Sequence, residues 1–553
     1  MPARKQSSKK KAARATSKKS ARKAATKKAA TKKAGTRQAA ARRPIALKAA
    51  GKTPPAARPY ATAATVSTAK VEAIKAQEVK VHYVKEAYKF SEARRKEKIH
   101  PRKELPKVPA GPKVMDMLPT TPMSLEMGVP MAARARLATA PMTPTDTITL
   151  VKNVQLNDVA TADTASHVCE PSAAINGSVV FYTGNWFAAL SINGGTTFKF
   201  VDPFTTFPNP PGMGFCCDQV VQYIKSIDTF IWLLQYSEDS TGKNIQRIAY
   251  ATTARVRTGQ WRFFDITPAS LGLGAGIWLD FPDLAVGENM LYMSTNCFSG
   301  NTWRAAAIAR IRLSSFTTGT LSATRTVSTT HPSLRVAQNC GTTAYFVAHN
   351  STSSLRVFTW KESSAAPTAT NVAIASWSNG PYSSTTPDGR NWLKRADGRH
   401  TGATLAGNEL WFSWGSAKGG ANSRPHPFVQ IARINATNMT LIENINLWEP
   451  SSAIFYAGLN TNSNNEVGAS YMIGGGPLFP THVVGILTGT RRQVTTFTST
   501  RGPSDNKYGD YLTVRRNYAN QKLFCATGYT LQSGAGSSDA TPNLTIFGRS
   551  TEV

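Results

Sequence analysis

Short apolar runs separated by Gly, Asn and Ser fill the chain from about residue 146 onward, and the clearest set lies between residues 170 and 203. Four runs follow one another there, at 170–174, 178–183, 186–190 and 197–201, with Asn-Gly, Gly-Asn and Asn-Gly-Gly between them. Such pairs between apolar runs favour tight hairpin turns. This segment is therefore predicted to be a four-stranded antiparallel meander.

The same four-stranded unit recurs in divergent copies. An innermost strand is predicted to start at seven positions: Glu170, Asp218, Asp283, Asn339, His400, Ala457 and Asp510. The intervals of about 48 to 65 residues suit four-stranded blades with loops. We therefore predict an all-β fold, a β-propeller in which seven blades are favoured. A six-bladed ring and a two-sheet sandwich are the alternatives.

A further apolar run indicates how such a ring would close. Residues 147–154 read Thr-Ile-Thr-Leu-Val-Lys-Asn-Val and belong to no complete copy, while the last copy is one strand short. Pairing the two would complete the last blade and hide both free sheet edges.

One turn of the first unit carries a motif. Ser191, Asn193, Gly195 and Phe198 occupy the conserved positions of Ser-x-Asp-x-Gly-x-Thr-Trp, with Asn for Asp and Phe for Trp. Residues 146–553 thus resemble the sialidase-like (BNR) β-propellers, whose Asp-box has this pattern. The resemblance implies a structural turn on the outer edge of a blade, and a propeller that binds or hydrolyses a glycan or another polar ligand. The β domain lacks the Arg-Ile-Pro motif of true sialidases, so the resemblance assigns no catalytic set.

Positive charge is concentrated near the N-terminus. Residues 1–115 hold 33 Lys and Arg against 6 Glu, and residues 1–60 hold 20 basic residues and no acidic one. Because like charges repel and little is apolar, residues 1–68 are predicted to be disordered. Their Lys/Ala composition resembles linker-histone tails, and residues 1–60 are expected to bind nucleic acid nonspecifically through its phosphates. An organelle transit peptide and a solubilising tail are the alternatives.

Two segments separate this tail from the β domain. In residues 69–98, Val71, Ile74, Val81, Val84 and Tyr88 recur at spacings close to helical periods, with Glu among Lys and Arg. This pattern predicts a charged amphipathic helix. Residues 99–145 are rich in Pro and Met and are predicted to be an extended linker.

The remaining composition argues against several classes of protein. The six cysteines form no Cys-x-x-Cys pair and have no histidines at zinc spacing, so no metal or cofactor is predicted and buried free thiols are favoured. The sequence shows no apolar run long enough for a membrane span and no secretory signal. A cytoplasmic, nucleic-acid-associated protein is favoured, with organelle targeting as the alternative.

Polar residues near the starts of the innermost strands form the candidate site, because equivalent strand starts meet at one mouth of a propeller channel. The catalytic candidates are Glu170, Asp218, Asp283, Asp510 and Tyr511. The ligand-binding candidates are Gln219, Asn339, Arg395, Asp397, Arg399, His400 and Arg424. The arginines could hold an acidic sugar. Alternatively, the acidic residues cap turns and the arginines are exposed loop residues.

Three functional classes stay open at this point. A glycoside hydrolase would need two carboxyl groups roughly 5 to 10 Å apart, one of them kept protonated by burial. A non-catalytic interaction propeller needs only the binding surface. A basic arm before a β domain is also typical of a viral structural protein.

Overall fold

The computed structural model describes residues 66–88, 103–116, 123–124, 147–161, 164–166, 168–532 and 540–553. Its 31 strands form seven sheets. Four strands precede the first complete blade in the sequence: β1 (Val66–Lys70), β2 (Gln77–Lys80), β3 (Met123–Ser124) and β4 (Ile148–Gln155).

The other strands follow in blade order. Blade 1 contains β5 (Ser172–Asn176), β6 (Val179–Gly184), β7 (Phe187–Ser191) and β8 (Lys199–Val201). Blade 2 contains β9 (Phe215–Ile224), β10 (Thr229–Tyr236), β11 (Gln246–Thr252) and β12 (Gln260–Ile266). Blade 3 contains β13 (Trp278–Val286), β14 (Met290–Ser299), β15 (Thr302–Arg312) and β16 (Ala323–Ser328). Blade 4 contains β17 (Arg335–Val336), β18 (Thr343–Ser351), β19 (Ser354–Lys361) and β20 (Thr368–Ala373).

Three further blades complete the ring. Blade 5 contains β21 (His400–Ala406), β22 (Glu409–Ser416), β23 (Phe428–Asn435) and β24 (Leu441–Trp448). Blade 6 contains β25 (Ala453–Thr461), β26 (Val467–Gly475), β27 (Leu478–Ile486) and β28 (Arg492–Thr498). Blade 7 contains β29 (Val514–Arg516), β30 (Phe524–Leu531) and β31 (Ala540–Arg549), together with β4.

The seven sheets are the blades of a β-propeller. The first strands of neighbouring blades pack against one another in a cycle, from β5 through β9, β13, β17, β21, β25 and β29 back to β5, so they line the central channel. Second strands are largely buried because the neighbouring blades cover both of their faces. Strand β10 is buried at every residue, whereas β18 is partly exposed at five of its nine residues. Seven blades are therefore confirmed, and the six-bladed ring and the sandwich are excluded.

The ring closes as the unassigned run predicts. Strand β4 pairs antiparallel with β31, with Val154 opposite Leu544. This pairing supplies the fourth strand of the last blade from a segment that precedes the first blade in the sequence. Strand β4 is thus the outermost strand of blade 7 and covers the outer edge of β31.

The Asp-box turn also lies where it was predicted, between the third and fourth strands of blade 1. Asn193 Oδ1 accepts hydrogen bonds from the amides of Thr196 (3.2 Å) and Thr197 (3.0 Å) and from the Ser191 hydroxyl (2.8 Å). Gly195 has φ +82°, which a side chain would strain. Phe198 is half-buried against Tyr182. The motif is a structural turn at the outer side of the blade.

The helix predicted over residues 69–98 is wrong for the described part, 69–88. Strand β1 pairs with the outer strand of blade 3, β16, and strand β2 pairs with the outer strand of blade 2, β12. Those outer strands present unpaired N–H and C=O groups, and an added strand satisfies them. Val71 is buried in a core formed mainly by blades 2 and 3, and Val81 in a core formed mainly by blades 1 and 2. Tertiary pairing thus overrides the helical pattern, while residues 89–98 lie outside the described residues.

The predicted linker lies partly on the propeller. Residues 103–116 are extended, and the amide of Gly111 donates to the Thr352 hydroxyl at 3.0 Å. The amide of Val114 donates to the Ser376 hydroxyl at 2.7 Å, and strand β3 pairs parallel with β24 of blade 5. We call residues 66–88, 103–116 and 123–124 the belt. Its strands β1, β2 and β3 pair with the outermost strands of blades 3, 2 and 5, and residues 103–116 contact loops of the propeller. The basic tail predicted over residues 1–68 falls outside the described residues up to residue 65.

Helices are short in the part of the chain that the structure describes. The α-helices span Asn157–Thr161, Pro203–Thr206, Thr253–Thr258 and Ser314–Thr318. None of these described helices has the length and apolar character needed to cross a membrane.

Candidate functional site: an acidic cavity at one channel mouth

A cavity of about 240 Å³ opens at the mouth where the innermost strands begin. Its charged lining residues are Lys103, Glu170, Asp218, Glu238, Asp280, Arg395, Arg399 and Asp510. Trp278 and Phe281 add aromatic surface. The cavity thus combines a cluster of carboxyl groups with cationic and aromatic side chains, and we call it the acidic cavity.

Glu170 lies at the junction between blades 1 and 7. Its Oε1 accepts a hydrogen bond from the amide of Asp510 at 3.1 Å, and its Oε2 accepts one from the Asn185 side chain at 3.0 Å. Burial raises the pKa of Glu170 well above its usual value, and the neighbouring Asp218 and Asp510 raise it further. Its backbone has φ +48°, so the loop entering blade 1 holds this side chain in a constrained position.

Asp218 is a second carboxyl group of the acidic cavity whose pKa is raised. Burial raises its pKa to about 7, and the charges of Asp280 and Asp510 act in the same direction. A hydrogen bond with Glu170 and the charge of Arg395 oppose that rise. Asp218 is therefore a carboxyl group that exchanges its proton near neutral pH, the property expected of a general acid.

Asp280 is a lining residue that the sequence analysis missed. Its Oδ1 accepts hydrogen bonds from the side chains of Trp278 (3.1 Å) and Gln235 (3.4 Å). The pairing register of β13 shifts between Asp280 and Asp283, and Phe281 between them has φ +53°. This bulge places Asp280 in the cavity. The sequence shows both Asp280 and Asp283 near the start of this strand, but only the bulge determines which of them enters the cavity.

Asp283 is buried outside the acidic cavity, which corrects its predicted place on the rim. Its Oδ2 lies 3.1 Å from Nε of Arg335, in a buried ion pair. Burial of both side chains makes this pair a structural element of blades 3 and 4.

Two predicted arginines do line the acidic cavity. Arg395 lies 3.6 Å from Asp510, as measured between Nη2 and Oδ2. Nε of Arg399 donates to both carboxylate oxygens of Asp397 at 3.0 Å, and its guanidinium lies 4.2 Å from the centre of the Phe281 ring. Burial acts to lower the pKa of Arg399, but the charges of Asp397 and Asp510 outweigh the effect of burial and raise that pKa. Asp397 thus holds Arg399 in place.

Three other candidates pack inside the blades. The Tyr511 hydroxyl donates to the backbone carbonyl of Gln219 at 3.4 Å, and burial raises its pKa well above the usual value. The Gln219 side chain accepts from Trp232 Nε1 at 2.7 Å and is fully buried. His400 stacks on His349 with ring centres 4.1 Å apart, and burial lowers its pKa. Their predicted place on the rim is therefore corrected.

Two candidates lie away from this mouth. Asn339 follows the short innermost strand of blade 4 and lines a cavity at the opposite mouth. Arg424 lies over the ring of Trp448 at 4.1 Å, in blade 5. The sequence predicted a strand start at Asn339, but the innermost strand of blade 4 is Arg335–Val336, so Asn339 follows it.

The cysteines only partly follow the expectation of free thiols. Cys216 and Cys217 form a disulfide, and Cys217 lines the acidic cavity. Cys169, Cys297, Cys340 and Cys525 are free and buried. Across the described ranges, no group of three or more His, Cys, Asp or Glu side chains is arranged to hold a metal ion.

The sequence matches no protein-family model and no curated protein. Solved structures with a similar fold include an α-L-arabinofuranosidase from Fusarium graminearum in complex with an iminosugar inhibitor (9% identity, TM-score 0.37, covering 70% of this chain and 94% of that one). An α-L-arabinanase from Penicillium chrysogenum complexed with arabinobiose aligns at 9% identity and TM-score 0.36, covering 73% of this chain and 99% of that one. The quinohemoprotein alcohol dehydrogenase from Comamonas testosteroni aligns at 10% identity and TM-score 0.36, covering 72% of this chain and 76% of that one. Similarity this low carries no argument about activity.

Proposed function

We propose that the protein binds a glycan in the acidic cavity and hydrolyses a glycosidic bond there. The observation that carries this proposal is the Asp218 carboxyl group, whose pKa of about 7 keeps a proton available at neutral pH. It lies in one cavity with several other carboxyl groups, two arginines and aromatic surface. Glycoside hydrolysis requires this combination of a protonated carboxyl and a second carboxylate.

The roles follow from the contacts of each residue. Asp218 donates its proton to the glycosidic oxygen as the bond to the anomeric carbon breaks. Asp280, held by the side-chain N–H of Trp278, takes a proton from the water that attacks this carbon. Arg395 and Arg399 bind polar groups of the sugar, and Trp278 offers an apolar wall to its ring.

The test is hydrolysis of a panel of neutral and acidic glycans by the full chain, with Asp218→Asn, Asp280→Asn and Asp158→Asn compared side by side. Asp158 is exposed in the helix Asn157–Thr161 and does not line the acidic cavity, so it controls for the lost charge. We expect hydrolysis that falls as pH rises through about 7 and is lost in the first two variants only. Binding without hydrolysis would instead support an interaction propeller. The absence of both binding and hydrolysis would contradict the proposal.

We also propose that residues 1–60 bind nucleic acid independently of the acidic cavity. The observation that favours this second function is 20 basic residues and no acidic residue in 60 positions. If about 6 to 10 phosphates are contacted, affinity should fall by roughly 10³ to 10⁵ between about 50 and 200 mM salt. Removing residues 1–60 should abolish the binding, and salt-insensitive binding would contradict the proposal.

A further inference from the structure

A second cavity, of about 440 Å³, opens at the opposite mouth of the channel. It lies where innermost strands end: Ile224 closes β9, Val286 closes β13, and both line it. Asn339, Arg515 and Arg516 also line it. We call it the basic mouth, and it shares no lining residue with the acidic cavity.

Side-chain amides make the wall of the basic mouth rigid. Gln222 Nε2 donates to Gln338 Oε1 at 2.6 Å, and both glutamine side chains donate to the carbonyl of Leu284. Asn339 Nδ2 donates to Asn460 Oδ1 at 2.7 Å. Amides fixed in this way are already oriented before a ligand arrives, which lowers the entropy cost of binding.

Arg515 is a buried cation with unused hydrogen-bonding capacity. The residue is 4% exposed, and its Nε donates to the Val221 carbonyl at 3.3 Å. Its Nη2 has no hydrogen-bond partner among the described residues. Burial lowers the pKa of Arg515 to about 10 because it removes the charge from water, although the charge of Asp283 opposes that change. A buried guanidinium donor without a partner is costly, so an anion placed beside it would be stabilising.

A second arginine reinforces the positive charge. Arg516 is held by its Nε and Nη2, which donate to the carbonyls of Thr461 (3.0 Å) and Asn462 (3.1 Å). Lys225 also lines the basic mouth, while Glu288 is its acidic lining residue. Cationic side chains therefore outnumber acidic ones here, whereas the other mouth is rich in carboxyl groups.

We propose that the basic mouth binds a small oxyanion, a carboxylate or phosphate carried by a polar molecule, with Arg515 and Arg516 on the anionic group and the amide wall on its hydroxyl groups. A guanidinium offers parallel N–H donors that match either anion. Asn339, predicted as a ligand-binding residue at the acidic rim, contributes to this second site instead.

The test is calorimetric titration of the full chain with inorganic phosphate and with gluconate, which distinguish the two anions. Arg515→Gln and Arg516→Gln remove the proposed contacts. Arg424→Gln is the matched control, because it removes the same charge from blade 5, where Arg424 packs on Trp448. Binding to the basic tail is common to all four proteins and is therefore subtracted by the comparison.

We expect saturable binding of at least one probe, weakened by about tenfold or more in the Arg515 and Arg516 variants and unchanged in the Arg424 variant. If Arg515→Gln does not fold, Arg516→Gln decides alone, since its side chain is only partly buried. Equal affinities in all proteins, or no saturable binding of either probe, would overturn the proposal.

Discussion

The backbone amide of Asp510 donates a hydrogen bond to Oε1 of Glu170 at 3.1 Å, and this contact joins the loop before blade 7 to the loop before blade 1. The second carboxylate oxygen of Glu170 accepts from Asn185. Glu170 therefore lines the candidate site and also links the loops that precede blades 1 and 7.

Glu170→Ala should therefore destabilise the propeller. The substitution leaves the amide of Asp510 and the Asn185 side chain without their buried acceptor, and we expect a loss of about 1–3 kcal/mol in the free energy of unfolding. Urea denaturation measures it. Glu170→Gln keeps one acceptor oxygen and should lose less; equal losses for both variants would argue against a positioning role.

Asp218 should make stability depend on pH. Its pKa is 3.8 in an unfolded chain and about 7 in the folded protein. Between these values the unfolded chain releases a proton that the folded protein keeps, so this group destabilises the fold progressively as pH rises from about 4 to about 7. Asp218→Asn removes the effect, and its unfolding free energy relative to the wild type should rise by on the order of 4 kcal/mol across that window.

Buried histidines also make the unfolding free energy depend on pH, but with the opposite sign. The effect of Asp218 is therefore measured as the difference between wild type and variant. Burial lowers the pKa of His331 and His349 to about 4 and of His482 to about 3, so they destabilise the fold as pH falls below their unfolded value. Urea denaturation of wild type, Asp218→Asn and Asp158→Asn at several pH values separates the contributions. A constant difference between wild type and Asp218→Asn would contradict the assignment.

Asn193→Ala should weaken the Asp-box turn without affecting the acidic cavity. It removes the acceptor for the amides of Thr196 and Thr197, and we expect a loss of about 1–2 kcal/mol in unfolding free energy. Asn193→Asp, which restores the residue usual in the motif, keeps the acceptor and is the control. Changed glycan affinity in the alanine variant would show that the turn communicates with the site.

Removal of the belt should be far more damaging than removal of the tail. A chain lacking residues 1–60 should melt like the full protein, because every described strand is retained. A chain lacking residues 1–125 exposes the outer edges of blades 2 and 3 and loses buried Val71 and Val81. Exposed sheet edges pair between molecules, so a lower melting temperature and aggregation are expected. Light scattering during thermal unfolding measures both effects.

The sequence alone determined the blades, because a strand and its turn are specified by neighbouring residues. Alternating apolar runs and Asn-Gly turns were sufficient to predict seven units, and the unpaired run at 147–154 was sufficient to predict ring closure. The Asp-box turn follows from four residues whose hydrogen bonds are all local. Three of the predicted rim carboxyl groups, Glu170, Asp218 and Asp510, line one cavity for the same reason: equivalent strand starts meet at one mouth.

Only the tertiary structure decided the features that depend on distant segments. Residues 69–98 carry a helical pattern, but the open edges of blades 2 and 3 offer hydrogen bonds that a helix would leave unmade, so Val66–Lys70 and Gln77–Lys80 form strands. A bulge places Asp280 rather than Asp283 in the acidic cavity. Strand β17 begins at Arg335 and not at Asn339, so Asn339 follows the strand and lies at the opposite mouth. The raised pKa of Asp218 comes from burial and from carboxyl groups contributed by blades 3 and 7. Such groups become neighbours only when the ring is closed, because a pKa depends on distances in space and not on spacing along the chain.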